Sequence, residues 1–157
     1  MMTETTKGNA EYDRAAWMTL LAEAPVQELE AHWGQVAHPT FAWIRRPESG
    51  SAMVRGRASG TGMQFNLGDV TVTKCTLQLR TGEIGVSYVM GRNKRHAALA
   101  ALFDAMLQNE GKSGEPATQA FIAALDQSRT RRHQAIVAET KTSKVDFTML
   151  ARGDVEL

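Results

Sequence analysis

The chain has 157 residues, 43% of them hydrophobic and 22% charged, close to the soluble globular average and enough for about one domain with a sizeable core. Its 18 Lys and Arg against 17 Asp and Glu leave a net charge of +1, which excludes a polybasic histone-like protein and an acidic tail protein. The single cysteine, Cys75, excludes an internal disulfide and a cysteine-based zinc site.

Residues 1–10 hold no apolar h-region and no cleavage site, so they read as a disordered N-terminus ahead of one domain over 11–157, not as a signal peptide. No stretch approaches the roughly 18 apolar residues of a transmembrane helix, which points to a cytoplasmic protein. A first helix is predicted over 11–23, with Trp17, Leu20, Leu21 and Ala24 at i, i+3, i+4 and i+7. Pro25 suits the first turn of a second helix, along which Val26, Leu29, Trp33 and Val36 keep helical spacing until Gly34 and Pro39 stop it.

From Phe41 to Met90 the period drops to two. Segments 41–46, 51–58, 62–66, 70–80 and 83–90 read as strands separated by Gly, Pro, Asn and Asp. In the last pair Thr81-Gly82 is read as a two-residue hairpin loop, although Thr fits a positive-φ site poorly. That loop sets Leu79 against Ile84, Leu77 against Val86 and Cys75 against Tyr88 on one apolar face. Val70 and Val72 have the opposite parity, which a bulge near Thr73-Lys74 or local two-sided burial accommodates.

A third helix begins at the N-cap Asn93, carries the stripe Leu99, Leu102, Phe103, Met106 and Leu107, and stops at Gly111. A linker-like stretch, 109–116, leads to a fourth helix from Pro116 to about Thr140. Its apolar marks are Phe121, Ile122, Leu125, Ile136 and Val137, interrupted by the polar run Arg129–His133, where the helix leaves the core or packs on something else. The tail from Val145 to Leu150 is apolar enough to dock. Helices, then clustered strands, then helices specify an α+β fold: two N-terminal helices, an antiparallel β-meander of about five strands, and two C-terminal helices.

The near-zero charge is a cancellation. Residues 1–30 carry a net −4, residues 45–95 a net +6 and residues 96–157 a net −1. The basic middle suits phosphates or an acidic partner, or is a set of solvated positions.

Catalytic motifs are mostly absent. Gly111-Lys112-Ser113 lacks the upstream glycine of a P-loop, since Met106 occupies its place, and Gly60-Thr61-Gly62 lacks the third glycine of a dinucleotide fingerprint. Ser87 lies mid-strand without the second glycine of a nucleophile elbow. His32, His38, His96 and His133 make no i+3 or i+4 pair, so no metal site is expected. Cys75 reads as a small core residue and Asp69 as a turn residue. One constellation remains, Gly91 to His96, where a strand meets a helix. Free backbone N–H groups, Arg92, Lys94, Arg95 and a protonated His96 there would fit a phosphate or an acidic loop of a partner.

Four stretches together resemble a family: Arg14–Ala22, Gly60–Asp69, Gly91–Ala97, and Val145-Asp146-Phe147 with Arg152-Gly153-Asp154. In order and spacing they are similar to PhnG, a subunit of the bacterial carbon–phosphorus lyase system, over about residues 11–154. The tail departs from that pattern at Thr148, where a second aromatic is common. The resemblance implies a cytoplasmic, non-catalytic subunit of a core complex with PhnI, PhnH and PhnJ, joined by the ATP-binding subunit PhnK or PhnL. It implies support for a step in which an alkylphosphonate displaces adenine from MgATP to give a ribose 1-alkylphosphonate 5-triphosphate. The nucleosidase chemistry is then PhnI's and the later radical C–P cleavage PhnJ's. No catalytic residue and no bound cofactor carry over to this chain, and MgATP is a substrate of the complex. The competing reading is a free-standing nucleic-acid-binding module, with Arg55 and Arg57 beside Phe41, Trp43 and Phe65 on a stacking sheet; the near-neutral total argues against it. A third reading, a self-sufficient enzyme on a small phosphorylated substrate, would have Arg92–His96 bind the phosphate directly.

Overall fold

A computed structural model describes residues 12–58, 60–113 and 117–142, with backbone alone at 111–113, 117 and 141–142. Two short helices, α1 (Arg14–Glu23) and α2 (Val26–Trp33), precede three strands, β1 (Phe41–Arg57), β2 (Gln64–Leu79) and β3 (Ile84–Met90). Two longer helices follow, α3 (Lys94–Ser113) and α4 (Ala117–Thr142). The strands form an antiparallel meander in the order β1-β2-β3. The class is α+β, but the sheet has three strands where five segments were expected.

The difference has a local cause. The expected breaks at 47–50 and 67–69 are bulges and not turns. Pro47 lies on the edge strand β1, within a register shift between Arg45 and Glu48, where a missing N–H is tolerated. Leu67 is the extra residue of a second irregularity, because Val54 pairs with Gly68 and Arg55 with Asn66. Gly68 there adopts φ +150°, a conformation glycine enters freely. The chain therefore continues, and Asp69 stands inside β2 opposite Met53, not in a turn. The strands of 17 and 16 residues run well past the usual length of about 5–6, and their distal parts form a two-stranded ribbon. No bulge interrupts β2 at Thr73-Lys74; the irregularities there belong to β1, and Val70 and Val72 lie on the face of β2 away from the helices.

The β2–β3 hairpin is one residue out of the expected register. Gln78 pairs with Ile84, Leu77 with Gly85, Thr76 with Val86 and Cys75 with Ser87. The amide of Gly82 donates to the Leu79 carbonyl at 2.9 Å, and that of Leu79 to Glu83 at 2.9 Å. Three residues thus make the loop, a turn closed by a glycine at φ +108°. A two-residue loop would have forced Thr81 into positive φ. The longer loop gives that position to Gly82 alone.

The slip decides which face of β3 is inside. Gly85, Ser87 and Val89 point inward with Thr73, Cys75 and Leu77. At Gly85 a Cβ would stand 1.9 Å from the Ala101 carbonyl oxygen, so α3 lies on the strand at a distance only glycine permits. Ser87 Oγ donates to the Ala97 carbonyl at 2.6 Å. The core is then the helix side of the sheet, α1 and α3, closed by Leu29 of α2 and Ile122 and Leu125 of α4.

The caps are local and legible. Asp13 Oδ1 accepts from the Ala16 amide at 2.7 Å and Asn93 Oδ1 from His96 at 2.9 Å. Pro25 sits at the N-cap of α2, one position earlier than expected. Helix α3 runs through Gly111 to Ser113 and does not stop there. Glu110 on its last turns accepts from the Thr118 amide at 3.0 Å and also bonds the Thr118 hydroxyl, so α3 itself caps the first turn of α4. The proposed start at Pro116 and the apolar tail at 145–150 lie outside the described residues, as do residues 1–10.

The polar run in α4 does pack on something. Arg129 meets Glu23 at 2.7 Å, and Arg132 meets Glu28 at 3.0 Å, a carboxylate that Ser128 also reaches at 2.8 Å. The helix stays continuous and is tied across α1 and α2 by charge.

Candidate interaction site

The 91–96 constellation keeps only part of its expected character. Gly91, at φ +88°, donates its amide to the Thr71 carbonyl at 2.8 Å and accepts from the Thr73 hydroxyl at 2.7 Å. That ties the β3–α3 corner to β2. Arg92 and Lys94 are exposed. Arg95 reaches Glu30 at 3.3 Å, an exposed pair worth little. His96 is buried, and its Nε2 lies 2.8 Å from the Leu21 carbonyl oxygen. A carbonyl only accepts, so Nε2 carries the proton and donates. His96 therefore joins α3 to α1. The cations the site can offer a ligand are Arg92 and Lys94.

A second polar constellation was not read from the sequence. Asp104, mid-α3 and fully buried, accepts four hydrogen bonds. Arg14 donates from Nε at 3.1 Å and Nη2 at 2.8 Å, Trp17 from Nε1 at 2.9 Å, and Val86 from its backbone at 2.9 Å. Arg14 and Trp17 stand three apart on one face of α1. The Arg14–Trp17 stretch that carried part of the family resemblance is thus an assembly device for α1, α3 and β3. The available signal was an acid in the middle of an apolar stripe.

Neither Cys75 nor His32 is placed for chemistry. Cys75 is fully buried, and burial pushes its thiol up to about 11. His32 stacks on Phe121, with ring centroids 3.8 Å apart, and leans on Phe103 at 5.5 Å. Its Nε2 is buried without a hydrogen-bond partner, and burial lowers its pKa below the ordinary 6.5. Among the described residues no three His, Cys, Asp or Glu side chains cluster as metal ligands, and no helix is long and apolar enough to cross a membrane. A cleft of about 470 Å³ between α1 and α4 is lined by Glu23, Asp126, Arg129, Arg132 and His133. Its two arginines already hold Glu23 and Glu28.

The stacking sheet of the nucleic-acid reading is not assembled. Phe41 and Trp43 pack on the core, edge to face at 4.9 Å. Along the ribbon Arg55 pairs with Asn66, Phe65 with Gly56 and Arg57 with Gln64. Alternation puts the two arginines on one face and Phe65 on the other, so base and aromatic do not share a surface.

A family model described as "Phosphonate metabolism protein PhnG" matches residues 12–153. The chain belongs to the PhnG family. The PhnG-family chain is also 39% identical, over 144 residues and 90% of each chain, to a Rhizobium meliloti (strain 1021) protein. That protein is named "Alpha-D-ribose 1-methylphosphonate 5-triphosphate synthase subunit PhnG". The match of the PhnG-family chain spans every element from α1 to α4.

Proposed function

We propose that this chain is a non-catalytic subunit of the carbon–phosphorus lyase core complex, supporting transfer of an alkylphosphonate onto ATP with release of adenine. The observation that carries the proposal is the 39% identical relative, a named synthase subunit matched over 90% of each chain. Its cytoplasmic partners are PhnI, PhnH and PhnJ with the ATP-binding PhnK or PhnL. MgATP is a substrate held elsewhere in the complex. The side chains support the accessory role. The buried Asp104 is consumed by four donors, His96 by Leu21, and Cys75 is sealed in the core, so none of these three is presented as a nucleophile or an acid–base group. Arg92 and Lys94 are contacts, either to the phosphate groups of substrate or to an acidic partner segment.

The test is reconstitution. The chain alone, with MgATP and methylphosphonate, releases no adenine; co-expressed with PhnI, PhnH and PhnL it yields one stoichiometric assembly that does. Adenine release at an undiminished rate by the other subunits alone would overturn the proposal. Arg92→Ala with Lys94→Ala separates the two roles of the corner: assembly without turnover marks a substrate contact, and loss of assembly marks an interface.

A further inference from the structure

We infer that the sheet face turned away from the helices, continued along the β1–β2 ribbon, is a docking surface for an apolar, acid-rimmed surface of a different protein subunit. The inference rests on the subunit reading above and names the surface that reading requires.

The face follows from register. Ile84, Val86, Tyr88 and Met90 pair with Gln78, Thr76, Lys74 and Val72, the β2 positions that alternate with the buried Thr73, Cys75, Leu77 and Leu79. The larger apolar set of β3 therefore points away from the chain's own core. Tyr88 is 61% exposed and Met90 73%. The same face runs outward through Val72 and Val70, which pair with Gly50 and Ala52. It ends on Phe65, opposite Gly56, and on Leu67, whose side chain occupies the space a Cβ at Gly56 would take. The other side of the ribbon carries Ser51, Arg55, Arg57, Gln64, Asn66 and Asp69, with Met53 the large apolar residue among them. The ribbon is thus more apolar on the first side, and among the described residues no element forms a layer over that side. A two-stranded ribbon is marginal alone, and a sheet apolar on both faces calls for a layer on each.

Size and charge define the occupant. The 16 residues of β2 span about 50 Å at roughly 3.3 Å each, and two to three strands are about 10–14 Å wide. That is about 500 Å² of sheet face on this chain, at the upper end of what a monomer commonly leaves bare and near the lower bound of a specific interface. The charged groups on this face are Arg45, Glu48 and Lys74, with both cations 3.3 Å from the one carboxylate, a net positive set. Exposed Arg92 stands just beyond Met90. Two copies meeting face to face would oppose like charges, whereas an acidic rim would complement them.

Leu67→Asp with Tyr88→Asp, both exposed, tests the surface, and Ser51→Asp on the opposite face of the ribbon is the control. The wild-type chain and the control co-purify with the sister subunits. The double variant, with an unchanged Tm as a free chain, falls at least tenfold in recovery with them. In the wild-type assembly, amide exchange across 64–72 slows relative to the free chain, a readout that needs no variant. Assembly of the double variant at wild-type yield, with unprotected 64–72 amides, would refute the surface and leave the subunit reading intact. A wild-type chain that never co-purifies refutes both. A free wild-type dimer dissolved by the double variant assigns the face to a second copy and overturns the acid-rimmed partner.

Discussion

Replacing Asp104 by Ala should remove about 3–4 kcal/mol of stability. The carboxylate is fully buried and accepts from Arg14 twice, Trp17 and Val86. On truncation the four donors do not fare alike. The Arg14 side chain is 45% exposed, so its guanidinium turns to water and little is lost there. The Trp17 indole N–H and the Val86 amide stay where packing holds them, and each stranded donor costs about 1–2 kcal/mol. The small cavity left between α1, α3 and β3 adds the remainder. Against a total of about 5–15 kcal/mol the variant is folded but weakened. Urea unfolding should show the midpoint falling by about 1.5–2 M at an unchanged slope. Asp104→Asn should lose about 2–3 kcal/mol, because one amide oxygen cannot serve four donors and the NH2 group meets one of them. Arg14→Met in the Asp104→Ala background should add almost nothing, giving a coupling of about 1–3 kcal/mol in the double-mutant cycle. A loss under about 1 kcal/mol for Asp104→Ala, or additive effects in the cycle, would refute the assignment of Asp104 as the joint of the three elements.

The other predictions concern single sites. Gly85→Ala puts a methyl 1.9 Å from the Ala101 carbonyl oxygen, so α3 must lift from β3; a loss of about 3 kcal/mol or more, or failure to fold, should show in the thermal midpoint. Burial lowers the pKa of His32 below 6.5, so below pH 6.5 the unfolded chain binds the extra proton. Its contribution is whole above 6.5 and declines as pH falls below it. Wild-type melting should therefore drop more than that of His32→Phe between pH 7.5 and 5, and parallel curves would count against it. Cys75, with its thiol pushed up to about 11, should resist a thiol reagent at pH 8 in the folded chain and react on denaturation. Native-state labelling at the rate of free cysteine would show that the strand opens.

What was legible in the sequence was what short-range chemistry sets. Asp13 and Asn93 announce helix starts because a cap needs only the next three residues. The stripe on α3 is legible because one face alone is apolar. The strand count failed at Pro47 and at Gly68-Asp69, where turn residues serve as bulges; the difference depends on the partner strand, which no local pattern contains. The hairpin register failed for a more informative reason. Both faces of β3 can be read as inward, Ile84, Val86 and Tyr88 on one and Gly85, Ser87 and Val89 on the other. The apolar rule chooses the first. The close approach of α3, which only Gly85 permits, chooses the second. Of the site residues, Arg92 and Lys94 stand exposed, while His96 is drawn inward by the Leu21 carbonyl, an acceptor 75 residues away that spacing cannot reveal.

The charge pattern and the slipped hairpin converge on one account of the molecule. The acidic front is met within the chain: Glu23 and Glu28 are taken by Arg129 and Arg132 of α4, and Glu30 by Arg95. Three of the front's carboxylates are thus paired, and the polar break in α4 exists to reach two of them. Of the nine bases of the middle, those with an acidic partner described by the structure are Arg45 and Lys74, which share Glu48, and Arg95. The excess positive charge therefore sits on the sheet and the β3–α3 corner, the same region where the apolar set of β3 faces outward. A monomer gains nothing from placing exposed Arg92 and a net positive set beside bare Tyr88 and Met90. A subunit does, because steering by the rim and burial of the apolar centre are the two requirements of a specific interface.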